Sequence, residues 1–270
     1  MKQHLKAAVY GFAIGDALGV PFEFKTRDSF HCSGMIGGGT WSEPEGTWSD
    51  DTSMLLATLA SIQSCGGKID PDDMMQRFCD WYENAAYSCN GSVFDIGMTT
   101  RTALKKYMDG VPSFLCGASD ERSNGNGSLM RILPLAFTDA DDEQINAVSS
   151  LTHAHDISKL CCRQYISEAR LLMRTGDISE EWITRMRKMP KERVRSTGFV
   201  VDTLSAAMWC LVNTDSYADA VLTAVNLGGD TDTIAAVTGG LSGIRYGFEE
   251  IPEEWIDKLR NKRELDAYLF

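Results

Sequence analysis

Two acidic segments constrain this chain more than any other feature, because each stands immediately before an apolar helical pattern. The first is GTWSDDTSMLLATLASI at residues 46–62, and the second is GGDTDTIAAVTGGLSG at residues 228–243. Capping a helix requires only one acidic side chain, and two adjacent carboxylates that face the same way repel each other. We therefore interpret the acid pairs as two halves of one cation site, which requires the heads of both helices to meet.

The residue types in these segments indicate a hard cation. Asp50 and Asp51 follow Ser49, and Asp230 and Asp232 alternate with threonines. Carboxylate and hydroxyl oxygens are the ligands that Mg²⁺ and Ca²⁺ prefer, whereas softer metals favour His and Cys, which both segments lack. Taken alone, the second segment is equally consistent with an ordinary helix cap whose acids match the helix dipole. The recurrence of an acid pair in a distant segment favours the metal site.

The hydrophobic pattern predicts an all-α fold, because no alternating strand pattern and no βαβ rhythm is present. The chain has 270 residues, and neither a linker nor an internal repeat divides it, so we expect a single domain over residues 1–270. The glycine-rich segment 25–48 is predicted to be a long loop, of a kind that is more often functional than idle. Helices are predicted over 3–19, 50–64, 72–86, 97–109, 127–137, 141–150, 156–175, 179–188, 196–212, 216–225, 231–247 and 253–268.

Small residues mark two of the predicted helices as close neighbours. Glycine in a helix interior costs about 1 kcal/mol relative to alanine, so a glycine face usually indicates another backbone packed very close. We predict that the two helices cross near the centre of the protein, which would bring Asp16 and Glu23 towards Asp230 and Asp232. The small residues are Ala7, Gly11, Gly15 and Gly19 in one helix and Gly239, Gly240 and Gly243 in the other.

Composition limits the classes of binding partner and the cellular compartment that we expect for this protein. A net charge of −12 and a pI near 4.8 disfavour a surface for nucleic acid or anionic membranes. The eight cysteines are scattered without a C-x-x-C pair, which favours reduced thiols over zinc ligands or disulfides. The N-terminus imitates a signal peptide, but Asp16 interrupts the apolar run and no clear cleavage site follows. We expect a cytoplasmic monomer with no membrane or nucleic-acid partner.

Six segments resemble, in the same order, the motif set of the ADP-ribosylglycohydrolase family, which includes the dinitrogenase reductase-activating glycohydrolases. They are GFAIGDALGVPFEF, GTWSDDTSMLLA, FDIGMTTR, NGNGSLMR, LTHAH and GGDTDTIAAVTGGLSGIRYG. The resemblance extends over residues 6–246 and implies a compact orthogonal helical bundle with a binuclear metal site in a central cleft. Because the chain is short for the family, we expect trimmed specificity loops and a specificity role for segment 25–48.

The resemblance also implies the cofactors, which are two Mg²⁺ ions, with Mn²⁺ as an alternative. Glu23 matches the family's glutamate near the metals, and we assign catalysis to Glu23, Asp50 and Asp51. The two aspartates would position the first metal and activate water, while Glu23 would act as general acid/base or as a gate over the bond that is cut. The implied metal ligands are Ser49, Asp50, Asp51, Asp230, Asp232 and Thr233.

The turn that precedes one apolar helix is assigned to the substrate. Asn126, Gly127 and Ser128 form a flexible turn whose free N–H groups could cradle a diphosphate, although many loops look like this. The resemblance implies that this turn and His153 line the ADP-ribose pocket. A lone His near a helix cap is more often structural than catalytic, so that alternative stays open for His153.

Two further assignments concern the ends of the substrate. Asp95, with Gly97 in the same segment, is our candidate for contacting a cationic leaving group such as arginine, and Asp95 is equally consistent with an ordinary helix cap. The adenine is expected to stack on an aromatic side chain. Trp41, Phe94 and Tyr246 are the candidates, and the sequence does not choose among them.

The resemblance implies a magnesium-dependent hydrolase that cleaves the C1″ bond between ADP-ribose and a modified protein side chain, with an arginine-type linkage favoured, or a related ADP-ribosyl conjugate. The chemistry agrees, because carboxylates stabilise the oxocarbenium character that develops at the ribose. Two alternatives are a two-metal phosphoesterase acting on a nucleotide diphosphate, which would yield AMP and ribose phosphate, and a non-catalytic module that binds ADP-ribose or a partner protein.

Overall fold

The computed structural model describes residues 2–270 as thirteen α-helices joined by turns and one long loop. Within this range, β structure is confined to three isolated bridges, so the all-α prediction is confirmed. The helices are α1 (Lys2–Gly19), α2 (Asp50–Ser64), α3 (Pro71–Asn84), α4 (Met98–Met108), α5 (Leu129–Ile132), α6 (Asp142–Ser150), α7 (Asp156–Thr175), α8 (Glu180–Arg187), α9 (Val200–Val212), α10 (Tyr217–Val225), α11 (Thr231–Tyr246), α12 (Glu253–Lys258) and α13 (Lys262–Ala267). Short 3₁₀ segments accompany them at Val20–Phe22, Ser113–Leu115, Asn126–Ser128, Leu133–Phe137, Lys191–Arg193 and Phe248–Glu250.

Most predicted helices match the structure within two residues at each end, but the one predicted at 127–137 is wrong. Only α5, with four residues, is α-helical there, and 3₁₀ segments flank it on both sides. Pro134 lies in the second 3₁₀ segment, and its missing N–H and ring prevent the α-helical hydrogen bond that a continuous helix would need.

Two other helices begin or end differently from the prediction. The helix predicted at 196–212 begins at Val200, because the preceding residues run extended and exchange backbone hydrogen bonds with the turn before α5. The helix predicted at 253–268 is divided into α12 and α13. The break occurs where the Arg260 N–H donates to the Gly46 carbonyl oxygen in the long loop at 3.0 Å, so a tertiary contact overrides the local helical pattern.

Helices α1 and α11 cross backbone to backbone, as the small residues predicted. A methyl group on Gly15 would lie 2.1 Å from the carbonyl oxygen of Ala235, and one on Gly19 would lie 2.3 Å from the Cα of Asp232. Neither position can accept a side chain unless a backbone moves. The crossing therefore fixes the second half of α1, including Asp16, beside the first turn of α11.

The apolar character of α1 is explained by its place in the core. By length and composition, Lys2–Phe22 could cross a membrane, but 94% of its most apolar window is buried inside the protein. Phe12, Ile14 and Leu18 have no exposed surface. The segment that imitates a signal sequence is thus a central packing element of this fold.

The predicted long loop before α2 is confirmed, and Arg27 ties it to the start of α11. The Arg27 guanidinium donates to the carbonyl oxygens of Leu227 at 2.8 Å and Val194 at 2.6 Å. The Phe24 N–H donates to the Gly229 carbonyl oxygen at 2.7 Å. These bonds place the start of the loop against the GGDTDT segment, so residues far apart in the sequence lie side by side.

The cysteines confirm the expected thiols. All eight are free, and seven of them are buried. Burial raises the pKa of Cys161 to about 12 and that of Cys32 to about 11. Both side chains therefore remain protonated at neutral pH and pack as small apolar groups.

Candidate active site

The first acidic segment forms the head of α2, and α1 holds it in place. Ser49 is the N-cap residue, and its hydroxyl accepts a hydrogen bond from the Asp51 N–H at 3.3 Å. The buried Asp16 carboxylate accepts from the Ser49 N–H at 2.9 Å and the Thr52 N–H at 3.0 Å. The Thr52 hydroxyl donates to the same carboxylate at 2.6 Å. Asp16 thus satisfies two of the four free N–H groups at this helix end.

The second acidic segment forms the head of α11 and meets the first one directly. The Thr233 hydroxyl donates to Asp51 Oδ2 at 3.2 Å, and the Ser49 hydroxyl donates to the same oxygen at 3.2 Å. Thr233 and Asp51 are separated by 182 positions in the sequence. The two helix heads therefore converge, as the paired motifs predicted.

The carboxylates of this region form two overlapping groups. Within each group, one oxygen from each member lies within 4.8 Å of the others. Asp232 belongs to both groups, so it lies between two potential cation positions. The first group is Asp16, Asp51 and Asp232, and the second is Glu23, Asp230 and Asp232.

These carboxylates carry an electrostatic cost, because burial and mutual repulsion both disfavour their charged forms. Burial, with the charges of neighbouring carboxylates added, raises the pKa of Asp50, Asp51 and Asp232 well above the usual range. In the described part of the chain, no Lys or Arg forms an ion pair with any of the three. The protein itself does not neutralise the cluster.

The donor atoms fit a hard divalent cation. Asp51 Oδ1 and Asp232 Oδ2 are fully buried and have no hydrogen-bond partner among the described residues. Buried polar atoms are nearly always satisfied, so two unpaired carboxylate oxygens in one cluster fit a site that can hold a positive charge. The ligand set consists of oxygen atoms only, which suits Mg²⁺ or Mn²⁺ better than a softer metal.

Glu23 stands at the wall of the cluster, where the long loop holds it. The indole Nε1 of Trp41 donates to Glu23 Oε2 at 2.5 Å, and the Thr40 hydroxyl donates to the Glu23 carbonyl oxygen at 2.6 Å. Burial and the nearby Asp95 charge raise the pKa of Glu23 to about 9, against the hydrogen bond from Trp41. Both the side chain and the backbone of Glu23 are therefore fixed by one loop.

Asp95 faces the same cluster. It has a left-handed backbone, with φ of 61°, and burial is the main reason that its pKa rises to about 7. The alternative that Asp95 caps α4 is wrong, because Gly97 is the N-cap residue and no side chain caps this helix. The side chain instead joins the carboxylates at the wall of the cleft.

A cleft of about 300 Å³ opens over the acidic cluster. Ser49, Asp51 and Asp232 lie buried beneath its floor rather than on its surface. Of the residues assigned from the sequence, the cleft is lined by Glu23, Asp50, Asp95, Gly97, Asn126, Gly127, His153, Asp230 and Thr233.

The predicted anion turn reaches the cleft through two of its three residues. The Asn126 side-chain amide donates to Asp230 Oδ2 at 2.7 Å, which joins the turn to the head of α11. A methyl group on Gly127 would lie 2.8 Å from His153 Cε1, so only glycine keeps this backbone free of the imidazole. The Ser128 side chain is fully buried, and its hydroxyl accepts from Ser149 at 3.1 Å, so it does not face the cleft.

His153 is a buried, neutral wall of the cleft. Burial and the nearby positive charge of Arg131 lower the pKa of His153 to about 3. Its Nδ1 lies 2.7 Å from the Thr152 hydroxyl oxygen. The imidazole therefore has a hydrogen-bond partner and stays uncharged at neutral pH, which suits a packing and lining role.

Three aromatic side chains cluster beside the cleft, and one of them, Phe24, lines it. The ring centroid of Trp41 lies 5.6 Å from that of Phe94 and 6.4 Å from that of Phe24. Phe24 is 67% exposed and was not among the sequence candidates. Tyr246 is at the opposite end of α11 from Asp230, about 24 Å along the helix axis at 1.5 Å per residue, so its candidacy for stacking on adenine is wrong.

Sequence reasoning placed Asp16 near the second acid pair and offered Trp41 for adenine stacking, but it did not predict that Asp16 caps α2 or that Trp41 holds Glu23. Asp16 had a signal, since a charged residue interrupts an otherwise apolar helix there. Trp41 had none, because its contact with Glu23 depends on how the long loop folds back.

Comparisons with known proteins find similarity over nearly the whole chain. A sequence model of the family described as ADP-ribosylglycohydrolase matches residues 1–269. The ADP-ribosylarginine hydrolase Tri1 of Serratia proteamaculans is 35% identical over 280 residues, which cover 94% of this chain and 74% of that protein. The ADP-ribosyl-[dinitrogen reductase] glycohydrolase of Rhodospirillum rubrum is 30% identical, over 97% of this chain and 94% of that protein. A solved structure of an ADP-ribosylglycohydrolase-related protein complex aligns with a TM-score of 0.81 at 28% identity, over 99% of this chain and 96% of that one.

Proposed function

Because this chain belongs to the ADP-ribosylglycohydrolase family and is a hydrolase, we propose that it cleaves the C1″ bond between ADP-ribose and a modified arginine side chain. The arginine linkage is favoured because relatives with 35% identity are named ADP-ribosylarginine hydrolases. The single observation that carries the proposal is the meeting of two acid pairs from distant segments, bridged by the contact between Thr233 and Asp51.

The cluster would hold two Mg²⁺ ions, bound by Ser49, Asp50, Asp51, Asp230, Asp232 and Thr233, with Asp16 beneath them. When bound, such ions orient vicinal ribose hydroxyls and lower the pKa of coordinated water. The chain's own task is to hold these carboxylates close together against their mutual repulsion. Asp16 supports it by fixing the head of α2, on which Asp50 and Asp51 are carried.

The residues at the cleft wall have separate tasks in the reaction. Cleavage breaks the bond between C1″ and the guanidine nitrogen, adds the hydroxyl of water to C1″ and returns a proton to the leaving nitrogen. Glu23, held by Trp41, is placed to exchange that proton. Asp95, on the same wall, would contact the guanidinium of the substrate.

The diphosphate and the adenosine would take two further surfaces of the cleft. Gly127 lines the cleft with its backbone exposed, because His153 closes the space that a side chain would need. Backbone N–H groups of such a turn bind phosphate oxygens. On the side of Glu23, Phe24 lines the cleft beside Trp41, which lies beside Phe94, and these rings offer aromatic faces for the base.

The test is a panel of ADP-ribosylated substrates with arginine, serine and nucleic-acid-end linkages, incubated with Mg²⁺ and, in parallel, with EDTA. We expect free ADP-ribose from the arginine-linked substrate, with EDTA abolishing its release. Release of AMP and ribose phosphate would identify a phosphoesterase instead. Tight binding of ADP-ribose without release from any substrate would identify a non-catalytic module.

A further inference from the structure

Arg131, in α5, is fully buried and has no carboxylate partner. Its side chain has no exposed surface, and no Asp or Glu of the described chain forms an ion pair with it. Arginine is among the residue types that are almost never fully buried unless paired. An unpaired buried guanidinium therefore calls for an explanation.

The contacts of Arg131 leave its charge uncompensated. The guanidinium donates one hydrogen bond to the Gly127 carbonyl oxygen and one to that of Val148, and it lies 4.9 Å from the Phe78 ring centroid. Its Nε has no partner. The neighbouring Cys162 does not supply a negative charge, since burial raises the pKa of that thiol above its usual value.

The guanidinium nevertheless stays charged. Burial lowers the pKa of Arg131 to about 10, which still leaves it protonated at neutral pH. A buried cation without a counter-ion is costly, because the guanidinium loses its hydration and gains no interaction with an opposite charge in return. An anion arriving nearby would recover that cost.

The position of Arg131 is directly behind the wall of the cleft. It bonds to the carbonyl oxygen of Gly127, and Gly127 and Met130 both line the cleft. The cleft surface itself carries the carboxylates of Glu23, Asp50, Asp95 and Asp230, and within the described chain neither Lys nor Arg lines it. A diphosphate entering this cleft meets repulsion from its walls, and the cation behind the turn opposes that repulsion.

We propose that Arg131 is the counter-charge for the ligand's diphosphate and determines specificity for anionic ligands by acting through the wall of the turn. The inference rests on the proposed function, since it takes ADP-ribose as the ligand. Arg131 makes no contact with the ligand and acts by its field, which solvent and salt screen little at a buried site. A purely structural role, in which Arg131 only holds the carbonyl oxygens of Gly127 and Val148, predicts a different result when the charge is removed.

The experiment separates charge from hydrogen bonding. Arg131→Lys keeps the positive charge, Arg131→Gln keeps hydrogen-bond donors without the charge, and Arg131→Met keeps neither. The dissociation constant of ADP-ribose is measured by calorimetry in Mg²⁺ for each variant, and thermal unfolding checks that each is folded. We expect Arg131→Lys to remain within about threefold of wild type and both neutral variants to weaken binding at least about tenfold.

The results that would overturn the inference are distinct from failure of the proposed function. If Arg131→Gln binds ADP-ribose as wild type does, or if Arg131→Lys is as weak as Arg131→Met, the charge is not the cause and the inference is wrong. If both neutral variants unfold, wild type is tested by competition, and ADP-ribose must inhibit at least about tenfold more tightly than uncharged adenosine. If wild type neither binds ADP-ribose nor releases it from any substrate, the proposed function itself has failed.

Discussion

The two ends of the cleft treat charge in opposite ways. One end, here called the acid end, concentrates carboxylates from α1, α2, α11 and the loops beside them, with no basic partner in the described chain. The other, here called the turn end, consists of residues 125–128 with His153 and Arg131 behind them. It buries a cation that no carboxylate accompanies.

The difference between the two ends indicates which charges a ligand would supply at each of them. Each end is unfavourable by itself, because buried charges without partners destabilise a fold. In our proposal, each becomes favourable when a group of opposite charge arrives, a divalent cation at the acid end and a phosphate at the turn end. Unpaired buried groups therefore indicate the charge pattern of what the cleft receives.

The largest expected effect breaks the acid end. Asp232→Ala removes the carboxylate shared by both groups, so we expect ADP-ribose release to fall about 1,000-fold and Mg²⁺ binding to weaken in calorimetry. The matched control is Asp72→Ala, which removes one of two adjacent acids in the first turn of α3, at an exposed position. Unchanged activity and Mg²⁺ affinity in Asp232→Ala would contradict the metal site.

A smaller effect tests the turn end through pH. His153 has a pKa of about 3 in the folded protein and about 6.5 when unfolded. Below pH 6.5 the unfolded chain takes up a proton on this imidazole that the folded protein refuses, so the contribution of His153 to stability falls by about 2 kcal/mol between pH 7 and pH 5. His153→Gln removes this loss, which urea unfolding at the two pH values measures.

The control for that measurement is His31→Gln, at an exposed position, which should retain the pH dependence of wild type. If His153→Gln and wild type lose equal stability between the two pH values, His153 is not held neutral by burial.

The smallest expected effect comes from removing the hydrogen bond between Trp41 and Glu23, at the border of the acid end. Trp41→Phe keeps an aromatic ring beside Phe94 but removes the N–H that holds Glu23, so we expect kcat to fall about tenfold with KM nearly unchanged. Trp209→Phe is the matched control, because its indole donates to the Met189 carbonyl oxygen at 2.8 Å, away from the cleft. Equal kcat values in the two variants would show that Trp41 does not position Glu23.

The sequence could predict the helices and the meeting of the acid pairs because both depend on local patterns. Helix heads are marked by acids and hydroxyls, and the crossing of α1 and α11 is marked by glycines spaced four apart. Pro134 marked the break in the helix predicted at 127–137 as well, but the apolar run concealed it. Where a single residue such as a glycine or a proline determines the local conformation, the sequence contains the information needed to predict it.

The rest of the site depends on contacts that no local pattern encodes. Asp16 holds the head of α2 only because α1 passes beside it, and Trp41 reaches Glu23 only because the long loop folds back. Arg131 looks like an ordinary helix residue until its burial is known. These three side chains support the residues that the motifs identify, and supporting residues carry little signal of their own.

The crossing of α1 and α11 has a consequence for how the acid end responds to change. At Gly15 and Gly19 main-chain atoms of the two helices lie in direct contact, so no bulky side chain sets the gap between them at these positions. The contact between the two helices thus sets the spacing of the carboxylates, whichever apolar side chains fill the surrounding core. Substitutions of apolar core residues can therefore change the stability of the protein while the distance between the carboxylates stays the same.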